Sequence, residues 1–309
     1  MTELPAPAEE FLSWLAVERG RAPNTLAAYR RDLGAYVEFL GTRGLQIDAV
    51  SEREVEDYVA WLRTTARAPA SVARALVSVR SLHRFLVEEG ASGHDPTDRV
   101  NAPRVPAGLP KALGEEEIER LLAAVVGNDA VARRDRAILE TLYAGGLRIS
   151  ELVGLSLGDL DVEEGILRAR GKGAKERVVP IGRPARTALR AWLAPAGREA
   201  LTPARWARRG DAEAVFLNQR GGRLSRQGAW GVVRRHGDRA GLGARLTPHV
   251  LRHSCATHML DHGADIRAVQ ELLGHASIST TQVYTKVTIE RLRRAYDEAH
   301  PRARRPHHR

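Results

Sequence analysis

Between residue 8 and about residue 89, apolar side chains recur at three- and four-residue steps: Phe11, Leu12, Trp14 and Leu15, then Leu26, Tyr29, Leu33 and Tyr36. That spacing puts them on one face of a helix, and the segment as a whole predicts four helices. Asn24 is a candidate cap for the second. Ser51 with Glu54 three residues on reads as a capping box opening the third, whose buried face is marked by Val55, Tyr58, Val59 and Leu62. The fourth runs over about residues 70–87. From 90 to 110 the periodicity fades and prolines stand at 96, 103, 106 and 110, the pattern of a linker.

Past the linker, residues 115–125 and 130–143 have helical periodicity again. Residues 166–170 and 177–181 alternate as short strands around Gly171, Lys172, Gly173, Ala174, Lys175 and Glu176, which predicts a β-hairpin with a basic tip. Residues 215–217 could add a strand. Residues 225–240, 249–261, 266–273 and 277–296 read as helices, while 194–211, rich in Ala, Pro and Arg, has no assignable pattern. The fold class expected is mainly α with a small β-sheet, in two domains: an N-terminal helical domain over 1–90, a linker over 91–110, and an α+β domain over 111–300. A disordered basic tail over 301–309 follows.

Composition supports that division, since 309 residues are long for one hydrophobic core. Lys plus Arg number 48 against 38 Asp plus Glu, a formal charge of +10 carried mostly by arginine. Arginine's planar fork of donors matches phosphate, which favours a nucleic-acid partner over a merely solvated surface. Cys255 is the only cysteine, so no intramolecular disulfide can form, and its place among Leu251, Ala256 and Met259 makes it a core filler rather than a nucleophile. The start of the chain has no signal-like apolar core and no stretch suits a bilayer, so a cytoplasmic location without membrane contact is expected.

The candidate chemistry lies in the second domain. Arg148 follows the pair Gly145 and Gly146 and precedes Ser150, Glu151 and Leu152; His249 and Arg252 stand three apart on one predicted helix; His275 follows Gly274; Tyr284 closes the set. A tyrosine hydroxyl attacking a phosphodiester leaves a covalent phosphotyrosyl ester and a free hydroxyl, so the strand can be rejoined without ATP. Arginines fixed about the non-bridging oxygens stabilise the charge that builds up there. His249 and Arg252 share a helix face and can point at one phosphate, Gly274 would let the backbone approach DNA, and Glu151 could orient Arg148 or cap its helix. Singly, each has a plain structural reading as solvated arginine or core tyrosine, and Tyr29, Tyr36, Tyr58, Tyr143 and Tyr296 are expected in the core with hydroxyls at the rim. The conjunction is what points to phosphoryl transfer.

In this order of motifs the chain resembles the tyrosine site-specific recombinases, and the resemblance extends over roughly residues 8–303. It includes residues 24–33 in the first domain, the hairpin over 171–177, and, in the manner of the bacterial Xer recombinases, residues 269–282 and 299–303. The resemblance implies an N-terminal core-binding, SAM-like domain and a C-terminal catalytic domain. By it Tyr284 is the nucleophile, Arg148 and Arg252 clamp the scissile phosphate, His275 donates to it, Lys172 protonates the departing 5′ oxygen, and His249 exchanges a proton with the Tyr284 hydroxyl. It implies a 3′-phosphotyrosyl intermediate, a Holliday junction, and double-stranded DNA carrying a dif-like site as partner. It also implies a paralogous Xer recombinase in a heterotetramer or self-association as a homotetramer, with a cell-division DNA translocase as a possible activator, and docking of the segment 289–300 on a neighbouring protomer. No cofactor or metal is expected, because the cationic set already neutralises the phosphate and no carboxylate cluster is there to hold an ion. Lys286 and Cys255 depart from the usual Xer residues. A mobile-element integrase, a type IB topoisomerase and a non-catalytic DNA-binding protein are the alternative classes.

Overall fold

The computed structural model describes residues 4–65, 67–101, 112–171, 176–274 and 286–303, with the backbone alone for 286–288. The chain divides into two compact units, Met1–Gly108 and Leu109–Arg309.

The first unit contains α1 (Ala6–Val17), α2 (Pro23–Gly41), α3 (Glu52–Thr64) and α4 (Pro69–Glu88). Proline opens both α2 and α4, where its missing N–H costs nothing and its fixed φ suits the first turn. Ala22 is therefore the cap of α2 and Asn24 lies inside its first turn, contrary to the expected capping role. The capping box of α3 is present, with the Ser51 N–H donating to the Glu54 carboxylate at 2.6 Å. Aromatic rings fill the core: Phe11 lies 5.5 Å from Phe85 and Tyr36 4.9 Å from Tyr58, centroid to centroid. Asp32, buried on α2, accepts from Arg74 at 3.0 and 3.1 Å and from the Ser78 hydroxyl at 3.1 Å, both on α4. A buried carboxylate is tolerated only when paired in this way, so this acidic residue stitches two helices together.

The second unit contains, among its described residues, α5 (Glu115–Ala123), α6 (Ala130–Ala144), α7 (Ile149–Gly154), α8 (Arg183–Leu193), α9 (Arg226–Arg239), α10 (Pro248–Asp261), α11 (Ile266–Leu273) and α12 (Lys286–Ala299). An antiparallel sheet of order β1-β2-β3 runs through β1 (Leu160–Asp161), β2 (Ile166–Arg170) and β3 (Glu176–Pro180), with Leu167 opposite Val179 and Ala169 opposite Arg177. Buried apolar residues over most of α6 make it the axis of the core. Its polar members are covered too: Asp135 accepts from Arg134, Arg235 and His236 at 2.8 to 3.2 Å, tying α6 to α9.

Several expectations change. Residues 215–217 do not form a strand; Leu217 makes a single bridge to Arg223 and, among the described residues, no neighbouring strand pairs with the run. Residues 183–193, for which no element is expected above, form α8, with Pro184 in its first turn and Ala185, Ala188, Leu189 and Trp192 buried on one face. Residues 194–211 turn through two short 3-10 segments, held by Arg198 donating to the Ala212 and Ala214 carbonyls. Tyr36, Tyr58, Tyr143 and Tyr296 are buried whole, not merely to the ring: the Tyr143 hydroxyl meets His258 Nδ1 at 2.8 Å and that of Tyr296 accepts the Gly182 N–H at 3.0 Å. Cys255 is buried as expected, and burial pushes its thiol up to about 12. The chain beyond α12 folds back on its own unit: His300 is buried against the Tyr296 ring, residues 301–303 turn, and Arg302 pairs with Glu140. No described helix is long and apolar enough to cross a membrane.

Candidate active site

The local chain geometry that presents Arg148 begins at the end of α6. Gly145 and Gly146 close that helix, and Gly146 takes φ +52°, a conformation open to glycine and strained for other residues. It is also crowded: a Cβ at Gly146 would lie 2.7 Å from Leu273 and 3.3 Å from the Cys255 sulfur. The turn can therefore sit directly against α10 and α11. Arg148 then caps α7, where the Glu151 carboxylate accepts its main-chain N–H at 2.7 Å and its guanidinium at 2.8 Å. Glu151 thus both caps the helix and orients Arg148, the two roles expected as alternatives.

Arg252 arrives from the middle of α10, whose N-cap Thr247 accepts the Val250 N–H at 3.2 Å. Its guanidinium is buried, donates to the Gly146 carbonyl at 2.6 Å and to the Leu273 carbonyl, and lies 3.8 Å from Glu151. Arg148 and Arg252, a hundred residues apart in sequence, thereby meet at one carboxylate. His249 is exposed on the first turn of α10, one turn before Arg252. Lys172, His275 and Tyr284 lie outside the described residues, as does the hairpin tip. Their neighbours are placed: β2 and β3 pair as expected of a hairpin, and α11 ends at Gly274.

That glycine has a structural role within the chain itself. Gly274 takes φ +68°, the left-handed cap that ends α11, and the space beside it is filled by Arg177, whose Cδ would be 3.0 Å from an added Cβ. Arg177 is the residue that sequence reading missed. It is buried in β3, donates to Glu151 at 2.6 and 2.8 Å, and donates to the Leu272 carbonyl at 2.8 Å. Its signal was there in the alternation: it shares the inward face with Val179, where an arginine needs a buried partner.

Three guanidinium groups thus surround one carboxylate. Burial alone would raise the Glu151 carboxyl, but the hydrogen bonds and charge of Arg177, with the main-chain and side-chain donors of Arg148, outweigh it and hold the group below the usual carboxylate range. Arg252 is pushed down to about 10, first by burial and then by the like charges of Arg148 and Arg177. One negative charge is too little for this cluster. It can take an anion with several oxygens, which is what a phosphodiester approaching its transition state offers.

A mainly helical unit with a small antiparallel sheet and paired arginines fits the class of enzymes that break and rejoin DNA, and the comparisons agree. Residues 111–291 match the Phage integrase family, and residues 8–90 match the phage integrase N-terminal SAM-like domain. The tyrosine recombinase XerD of Mycobacterium tuberculosis (strain ATCC 25618 / H37Rv) is 47% identical over 98% of this chain and 100% of its own. That of Bifidobacterium longum (strain NCC 2705) is 46% identical over 96% of this chain and 97% of its own. The fold is shared with the XerH site-specific recombinase bound to palindromic difH substrate, at a TM-score of 0.66 and 23% identity over 94% of this chain and 84% of that one. It is shared too with the Tn1549 transposon integrase in complex with circular intermediate DNA, at 0.68 and 19% over 92% and 98%. The chain belongs to the phage integrase family of tyrosine recombinases, and within it to the Xer group. Its activity is site-specific recombination: DNA is its partner, cut and rejoined through a tyrosine nucleophile.

Proposed function

We propose that this recombinase resolves chromosome dimers at a dif-like site, acting as the XerD-type member of a heterotetramer with a paralogous Xer recombinase and under the control of a cell-division DNA translocase in the cytoplasm. The near-full-length identity to relatives named XerD supports the type. The observation that carries the chemistry is the convergence of Arg148 and Arg252 on Glu151. In this reading residues 1–90 form the core-DNA-binding domain, 91–110 the linker, 111–300 the catalytic domain and 301–309 the tail.

Arg148 and Arg252 hold the non-bridging oxygens of the scissile phosphate. Tyr284 attacks phosphorus, the 3′-phosphotyrosyl bond forms and the bond to the 5′ oxygen breaks. Lys172 supplies the proton that the departing oxygen takes up, His249 receives the one that Tyr284 loses, and His275 donates a further hydrogen bond to the phosphate. The two charged arginines lower the cost of tyrosinate, whose unperturbed pKa is about 10, and of a neutral lysine, whose unperturbed pKa is about 10.4. Exchange of strands passes through a Holliday junction, and the segment 289–300 contributes to docking between protomers.

A nicked suicide duplex carrying the organism's candidate site tests the reading. The protein should form a denaturant-stable adduct that Tyr284→Phe does not form, alone or once the paralogue is added. Specific binding without an adduct under both conditions would leave only a DNA-binding role.

A further inference from the structure

Arg177 lies at a junction that the roles above leave unused. Its guanidinium grips both oxygens of Glu151 at the start of α7, and its Nε donates to the Leu272 carbonyl at the end of α11, while its own backbone belongs to β3. Arg252 takes the next carbonyl of α11, that of Leu273, and the Gly146 carbonyl of the turn before Arg148. The Cδ of Arg177 packs against Gly274, the residue that caps α11. One buried side chain therefore joins three elements. The chain leaves two of them, at Glu176 and at Gly274, toward the segments that carry Lys172 and His275.

We propose that Arg177 is a positioning residue for cleavage: through Glu151 it fixes the guanidinium groups of Arg148 and Arg252 against each other, and it locks the end of α11 to β3. This rests on the recombinase chemistry proposed above. The groups facing Glu151 are Arg148 from α7, Arg177 from β3 and Arg252 from α10. The Arg148 guanidinium is more than a third exposed and can swing out, and Arg252 has only a 3.8 Å approach, so Arg177 is the side chain that holds the carboxylate in place, beside the Arg148 main-chain N–H. Without it Glu151 keeps its burial and loses its strongest opposing cation. The carboxyl would then take up a proton at a pH where it is otherwise ionised, and a neutral Glu151 holds neither arginine in register. A lysine at 177 restores a point charge but cannot bridge two oxygens and a carbonyl at once.

The experiment measures single-turnover cleavage of the suicide duplex against pH, with DNA affinity and thermal midpoint determined on the same proteins. Arg177→Met should bind DNA within about threefold of wild type and cleave on the order of 10²-fold more slowly, the scale of a small misplacement of reacting groups. It should also acquire, beyond whatever acidic limb wild type shows in its rate profile, a further one that disappears in Arg177→Met/Glu151→Gln. Arg177→Lys should cleave on the order of tenfold below wild type without that further limb, and it decides the matter if Arg177→Met does not fold. Wild-type rates in either variant would overturn the proposal. So would a rate loss that keeps the wild-type pH profile and runs parallel with lost affinity and melting temperature, because that describes a merely structural arginine. Failure of wild type itself to form an adduct, with or without the paralogue, would instead overturn the cleavage reading and this proposal with it.

Discussion

At the scale of single residues, the buried polar groups do more than the sequence suggests. His83 accompanies Tyr36 at 2.9 Å in the first unit, and burial holds its pKa down to about 4; His300, buried beneath Tyr296 in the second, is held down to about 3, again mainly by burial. Each is neutral when folded and gains its proton on unfolding. The stability they support is therefore complete above the ordinary histidine value of 6.5, declines as pH falls below it, and stops declining below the folded values. Between those limits each contributes a loss of about 1.4 kcal/mol per pH unit. Urea unfolding between about pH 7.5 and 5 should show that slope. His83→Gln, which keeps a partner for the Tyr36 hydroxyl, should flatten it in the first unit, and an unchanged slope there would show that other groups titrate.

At the scale of elements, helices were legible wherever one face is apolar and the other wet. The four helices of the first unit, and α9 and α11, follow that rule to within a residue or two at most ends, while α10 is equally close in extent but buries Arg252, Ser254 and His258 along with its apolar residues. Failures have distinct causes. Asn24 has the chemistry of a cap but stands after Pro23, which claims the first helical position. Val215 to Leu217 are fully buried and β-prone, yet burial alone does not supply a strand partner. In the site, Arg148, Glu151 and Arg252 could be read as a set, whereas Arg177 is legible only through the alternation of β3, which puts it on the inward face with Val179. The end of α12 carries a prediction of its own. Gly182 donates to the Tyr296 hydroxyl, and a Cβ there would lie 2.3 Å from the Arg302 carbonyl oxygen. Gly182→Ala should therefore push the 301–303 turn away and weaken the Arg302 pair with Glu140. A loss of about 1 to 3 kcal/mol is expected for such overpacking. Denaturant unfolding with limited proteolysis of the C-terminus would detect it; wild-type values in both would mean that the turn adapts without cost.

At the scale of the whole molecule, a formal charge of +10 makes affinity for DNA depend on released counterions. Equilibrium binding should fall on the order of 10³-fold or more between about 50 and 200 mM salt if six or more phosphates are neutralised. A shallow dependence would indicate that contacts are mostly uncharged. Part of that charge lies where Arg148, Arg177 and Arg252 share one carboxylate. Without DNA these like charges repel one another, and the native state is held in a form that its own electrostatics resist. Glu151 remains satisfied by Arg177 when Arg148 is removed, so Arg148→Ala should unfold in denaturant no earlier than wild type while losing cleavage. Earlier unfolding would show that Arg148 supports the fold. The repulsion among these arginines is the strain that a bound phosphodiester, as their counterion, would relieve.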